Sequence, residues 1–247
     1  MSIETAEELE ALKKVGQVVG ACLKFMGASI EPGIKTSELD AIGAAFLEQH
    51  GARSAPKFFY GFPGHTCISI NEAVAHGIPG EQRIVSGDLV NIDVSAEMNG
   101  FVADTGGSFA VGPVSPFKTR LLATAKSAML AGVAQARHDA PLSNIGKAME
   151  KEARKRGFTV IENLGSHGVG RKLHEEPGFI PGYFDPKDKR RLTKGMVITV
   201  EPFVSNGAHW AEDAGDGWTL LTPKRYSAQY EHTIVVTDGA PLVLTRA

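Results

Sequence analysis

Five residues in five separate segments have side chains suited to holding metal: Asp93, Asp104, His167, Glu201 and Glu231. Four carboxylates and one imidazole carry four formal negative charges when every acid is ionised, which two divalent cations would balance. Oxygen-rich donor sets of this kind suit Mn²⁺, Fe²⁺, Co²⁺ or Zn²⁺ in paired sites, and such pairs activate a shared water for hydrolysis.

Two of the five are brought together by a turn. Asn99-Gly100 is a strong signal for a two-residue hairpin, because both residues tolerate positive φ. A hairpin there pairs Met98 with Phe101 and sets Ser95 opposite Asp104. Asp93, two residues from Ser95, then faces the same side as Asp104, a diagonal neighbour roughly 7–8 Å away at the backbone. Val90, Ile92 and Val94 alternate to the other face and read as core. The plain alternative is a pair of solvent-facing aspartates on an edge hairpin. Aspartate is depleted in strands, and two on one face repel unless a cation or solvent intervenes.

The other donors lie further on. GSHGVGRKLHEEPG sets His167 among glycines, with His174 seven residues later and Glu175, Glu176 and Pro177 beyond it. That spacing is not a familiar zinc motif, so the pair reads as one ligand plus one outer residue, against an ordinary exposed loop. Glu201 sits in the apolar run MVITVEPFV, where a buried carboxylate needs a partner or a proton. Pro202 leaves open a strand-end glutamate in solvent. Glu231 opens the apolar part of AQYEHTIVVT, and His232 alternates to the opposite face as a structural residue. His76, in NEAVAHGIPG, is by itself an ordinary hydrogen-bonded histidine.

The elements that must position these side chains follow from periodicity and punctuation. Ile3, Leu9, Leu12, Val15, Val19, Leu23 and Met26 recur at helical spacing, ended by Pro32-Gly33. A second helix runs from a Thr36 N-cap to Gly51. Residues 52–66, rich in Gly, Pro and aromatics, read as loop or irregular strand. Strands follow at 67–70, 88–98 and 101–111, helices at 117–137 and 143–156. Then come the strand FTVIENL, a Gly-rich loop at 165–170, the strands MVITVEPFV, GWTLLT and AQYEHTIVVT, and a short PLVLTR strand. The order helix, helix, strands thus occurs twice, over halves of about 1–112 and 113–247 with no obvious sequence identity. The chain reads as one α+β domain over 1–247, mostly antiparallel.

With 247 residues, 43% hydrophobic and 22% charged, the chain can bury a core without disulfides. A net charge of −2 with scattered Lys and Arg disfavours a large nucleic-acid footprint. The two cysteines, Cys22 and Cys67, fit a reducing compartment. The acidic, amphipathic N-terminus has neither a basic n-region nor an apolar h-region, and no run approaches the ~18 apolar residues of a membrane span. The expected location is the cytoplasm.

Taken in order, CISINEAVAHGIP, VNIDV, DTGGSF, SHGVGRKLHEEP, ITVEPFV and SAQYEHTIVV resemble the type I methionine aminopeptidases, and the preceding helices fit as well. The resemblance implies the pita-bread fold, with two pseudo-symmetric halves cradling two divalent ions per chain (Co, Mn, Fe or Zn). By the family pattern Asp93 would chelate one metal, Asp104 and Glu231 would bridge both, and His167 and Glu201 would complete the other. His76 matches the residue that contacts the scissile amide, and His174 the one that steadies the carbonyl oxygen. Glu201 would accept the proton of the attacking water. Cys67, Phe59, Phe62 and Trp218 fall near positions of the methionine pocket. Substrates would be nascent polypeptides and peptides whose N-terminal Met precedes a small residue. Ribosome proximity is a family expectation with no docking motif in the chain, and no exposed apolar stripe argues for more than a monomer.

The chain departs from the pattern at Leu173, where some members carry phenylalanine, and at Phe59 and Phe62, where tyrosines are common. His65 and Ser166 are also unusual. Two rivals stand beside this reading. One is a prolidase or Xaa-Pro aminopeptidase of the same fold, which usually carries an extra N-terminal domain. The other is a metal-free binding protein, which typically loses ligands.

Overall fold

The first helix begins after Ile3, at a cap the apolar spacing alone did not mark. Thr5 Oγ1 accepts the Glu8 N–H at 3.2 Å, and α1 runs Ala6–Ala28 with Leu12, Val15, Val19, Cys22 and Met26 buried on one face. Ile3 lies ahead of the helix and donates its N–H to Gly195 O. The computed structural model describes residues 1–246. After α1 come α2 (Thr36–Gln49), β1 (Arg53–Ser54), α3 (Ala55–Tyr60), β2 (Cys67–Ile70), β3 (Ala73–Ala75), β4 (Leu89–Met98) and β5 (Phe101–Ala110). The chain continues through α4 (Pro116–Val133), α5 (Ser143–Lys155), β6 (Thr159–Val160), β7 (Gly165–Gly168) and β8 (Glu175–Pro181). It ends with β9 (Val197–Val200), β10 (Phe203–Ser205), β11 (Glu212–Asp213), β12 (Leu220–Leu221), β13 (Ser227–Gln229), β14 (His232–Val235) and β15 (Leu242–Val243).

Two sheets matter most for position. In one, β4 pairs with β5 along one edge and with β1 and β2 along the other; the second runs β15-β14-β9-β7-β8. Smaller sheets, β13-β10-β6 and β11-β12-β3, flank them, and the ladders within these sheets are antiparallel. α1 packs its apolar face on β4 and β5, where Val90, Ile92 and Val94 are fully buried. Each such side chain contributes roughly 1.5–3 kcal/mol by leaving water. α4 and α5 do the same for the second half, joining Leu121, Met129, Ile145 and Met149 to Val200, Val204 and Ile234. Gly132 lets them meet, since a Cβ there would stand 2.8 Å from Met149 Cγ.

The hairpin forms in the expected register: Asn99 (φ 53) and Gly100 (φ 82) make the turn, with Met98 opposite Phe101 and Ser95 opposite Asp104. A second antiparallel ribbon is less regular. Val200 pairs with His232 and Phe203 with Gln229, in one shared register. Between those pairs the ladder stops at Glu201-Pro202 and Tyr230-Glu231, so the ribbon passes from one sheet into another. In that register Glu201 stands across from Glu231.

Several local expectations are corrected. Residues 52–66 contain a helix: Ser54 Oγ accepts the Lys57 N–H, Pro56 sits in the first turn, and Gly61 closes it at φ 71. Thr36 is inside α2; its hydroxyl binds the Gly80 backbone, and Glu38 accepts the Lys35 N–H at the true start. The Gly-rich segment 165–170 is largely strand, with Gly168 so close to β8 that a Cβ would meet Glu176 O at 2.4 Å. MVITVEPFV and AQYEHTIVVT are each two strands, broken at the glutamate. The polar HEEP segment opens β8.

Candidate active site

A cavity of about 240 Å³ opens where the hairpin faces β7 and β9. Its wall carries Asp93, Asp104, His167, Glu201, His76 and His174, and an apolar recess of Cys67, Phe62, Leu173 and Trp218 adjoins them. Glu231 is buried just behind this wall. Asp104, His167 and Glu231 each place a ligand atom within 4.8 Å of the others. His167 Nε2 lies 3.4 Å from Glu201 Oε1 and 3.7 Å from Asp104 Oδ2.

Each donor is held by its own element. Ser95 donates to Asp104 Oδ1 at 2.8 Å across the hairpin, and the Asp104 backbone is locked to the Thr233 hydroxyl by two bonds. Thr199, two residues from Glu201 on the same strand face, accepts the His167 N–H and donates to Glu201 Oε1 at 2.8 Å. The broken ladder frees the glutamate amides for other partners: Glu201 N–H binds Ser166 Oγ, and Glu231 N–H binds Gly106 O. Gln229 Nε2 donates to Glu231 Oε2 at 3.1 Å, while Glu231 Oε1 is buried without any hydrogen bond. His167 Nδ1 sits 2.9 Å from Gly168 O, so that nitrogen carries the proton and Nε2 is left with a free lone pair among the carboxylates, a contact that only a shared cation makes favourable.

Electrostatics make the cluster unstable as a set of free anions. Burial raises the Asp93 and Glu201 carboxyls well above the usual range, and the Asp104 charge pushes both further. Glu231 is raised by burial first and then by Asp104, Glu201 and Asp93. Burial lifts Asp104 to about 6 against the hydrogen bond from Ser95. His167 falls to about 3, mainly through burial and then the nearby His174. His76 and His174 are lowered by burial as well, so all three imidazoles are neutral at neutral pH. Neutral imidazole beside carboxylates that cannot all ionise alone, with one carboxylate oxygen orphaned, is a donor set that fits divalent cations.

The structure places the remaining residues unevenly. His76 reaches the cavity from a left-handed conformation, φ 54. Phe62 and Trp218 meet edge to face at 5.1 Å. Phe59, expected in the pocket, instead packs against the N-terminal core, because α3 turns its ring inward; Tyr60 faces the cavity. Tyr60 OH lies 2.8 Å from His174 Nδ1. Neither Tyr60 nor Thr199 was singled out by sequence reasoning. The i, i+2 relation to Glu201 could have found Thr199. Tyr60 carried no such signal until 55–60 was known to be helix.

The sequence model of metallopeptidase family M24 matches residues 10–238. Methionine aminopeptidase 2 of Bacillus subtilis (strain 168) is 48% identical over 248 aligned positions, covering 100% of both chains. The crystal structure of methionine aminopeptidase from Thermotoga maritima matches with a TM-score of 0.95 at 30% identity, covering 100% of each chain. That from Rickettsia prowazekii matches at 0.94 and 34%, covering 99% of this chain and 100% of the other. The expected pita-bread fold is therefore the observed one. Its buried carboxylates, full-length kinship and matching architecture agree, and the chain belongs to metallopeptidase family M24, among the methionine aminopeptidases.

Proposed function

We propose that the chain hydrolyses the N-terminal methionine from polypeptides and peptides with a small second residue. The observation that carries this is the buried convergence of Asp104, His167 and Glu231, with Asp93 and Glu201 on the same cavity and an apolar recess beside them. Asp93, Asp104, His167, Glu201 and Glu231 would hold two cations drawn from Mn, Fe, Co or Zn. When bound, divalent cations polarise a carbonyl and make a water acidic enough to attack near neutral pH.

The chain's own residues do the rest. Glu201, held by Thr199, accepts the proton of the attacking water and can pass it on to the leaving amine. His174 donates a hydrogen bond to the carbonyl oxygen as charge develops, worth about 3 kcal/mol. His76 contacts the amide nitrogen of the scissile bond. Cys67, Phe62 and Trp218 surround the thioether side chain; burial keeps the Cys67 thiol protonated, so it acts as a soft apolar wall. No helix among the described residues is long and apolar enough to cross a membrane, and the two free cysteines accord with action on nascent chains in the cytoplasm.

Mass spectrometry of Met-Ala-Ser and Ala-Pro-Ala incubated with the protein and Mn²⁺ or Co²⁺ tests the reading. Methionine release from the first peptide alone is expected. Cleavage of Ala-Pro-Ala would favour a prolidase-like enzyme, and no bound metal with no cleavage would favour a binding module. Glu201→Gln should slow release at least about 100-fold with the fold intact; wild-type turnover would remove Glu201 from the chemistry.

A further inference from the structure

Two imidazoles, His167 and His174, lie side by side in the cavity with ring centroids 4.2 Å apart. Their Nδ1 atoms have different partners. His167 Nδ1 faces a carbonyl, Gly168 O, which can only accept. His174 Nδ1 faces the Tyr60 hydroxyl at 2.8 Å, which can donate or accept.

The choice at His174 is decided by what its other nitrogen meets. If Nδ1 carried the proton, Nε2 would present a lone pair to a cavity already lined by Asp93, Asp104 and Glu201. Lone pair against carboxylate is repulsive, and a substrate carbonyl oxygen entering there would find no donor. If the phenol donates to Nδ1, Nε2 carries the proton on the side of the ring away from Tyr60. It can then donate to a carbonyl oxygen. A phenol ordinarily keeps its proton to about pH 10, and the partial desolvation of the half-exposed Tyr60 ring only raises that. The donor is therefore available wherever the enzyme works.

We propose that Tyr60 is a positioning residue for the reaction: its hydroxyl donates to His174 Nδ1 and holds His174 as the Nε2–H tautomer that serves the carbonyl oxygen. The neighbouring imidazoles then have opposite tautomers for opposite tasks, His167 as a lone-pair ligand and His174 as a proton donor. The inference rests on the reading of His174 as the carbonyl-oxygen donor. Tyr60 is well placed for it. It ends α3, whose first turn is capped by Ser54 and whose last is closed by Gly61 in the left-handed conformation. The Ser54 hydroxyl also donates to His65 O at 2.7 Å, fastening the helix to the loop that follows.

Tyr60→Phe keeps the ring and removes only the hydroxyl. In Zn²⁺-loaded protein labelled with ¹⁵N-histidine, long-range ¹H–¹⁵N correlation should read His174 as Nε2–H in the wild type and as a tautomer mixture in Tyr60→Phe. On Met-Ala-Ser, kcat should fall about tenfold with KM changed less than about twofold. In a His174→Ala background the same substitution should change kcat less than about twofold. A wild-type spectrum with the proton on Nδ1, or an equal loss in both backgrounds, would overturn the role of Tyr60. Wild-type kcat in His174→Ala alone would instead overturn the reading of His174, leaving the spectrum to decide the tautomer.

Discussion

Glu231 has one carboxylate oxygen satisfied by Gln229 and one with no partner, in a place water does not reach. With Asp93 and Glu201 it keeps its proton far above the usual carboxylate range. An acid whose pKa is higher in the folded than in the unfolded chain contributes stability that is complete below about pH 4 and is lost as pH rises through the folded value. The lowered imidazoles act the opposite way, adding stability only above their unfolded value near pH 6.5. Between about pH 7 and 8 they are neutral folded or unfolded and add little slope. Metal-free protein should therefore lose on the order of 1 kcal/mol per pH unit for each proton still held in that window, read by urea unfolding in chelator. Glu231→Gln should flatten the slope; a slope unchanged by that substitution would show that Glu231 ionises freely. The facing aspartates were legible in the sequence, because Asn99-Gly100 sets their register locally. The facing of Glu201 and Glu231 was not, because that register is set by pairing between distant strands.

The hairpin and the interrupted ribbon are the two elements that aim the donors. In the hairpin, the turn and the long-range bonds between Asp104 and Thr233 hold the same register. Gly100→Val, at φ 82, should cost about 1–3 kcal/mol in urea unfolding through backbone strain. Mn²⁺ affinity by calorimetry should nevertheless change less than about threefold, since Thr233 still pins Asp104. A large loss of affinity would mean that the turn alone positions the aspartate. Elements with local signals were readable: α1, α4, α5, β2 and the hairpin follow from spacing, stop residues and turns. The short α3 was missed because its aromatic run masked Ser54, Pro56 and Gly61 as cap, first-turn and stop signals. The ribbon was read as unbroken strands because Pro202 removes only one donor, and the rest of the break depends on Ser166 and Gly106 capturing the two freed amides.

At the scale of the molecule, one apolar core belongs mainly to the first half but takes in Val169, Val197, Val235 and Leu244 from the second. The second core in turn includes Leu89. With cores that interlock and donors drawn from both sides, heating should give a single transition, and saturating Mn²⁺ at about 100 times its Kd should add about 2.7 kcal/mol. Two separated transitions by calorimetry would mean that the halves unfold as independent units. The hairpin has a further consequence in time. Its aspartates are joined by a two-residue turn, so they can come together as soon as that stretch of chain exists. Glu201 and Glu231 must close a loop of about thirty residues, which is slower to form. During synthesis both aspartates precede either glutamate, and Glu231 is the last donor to be made. The site thus cannot be complete until Glu231 has emerged, which places full cation capture after the last of the five donors has been made.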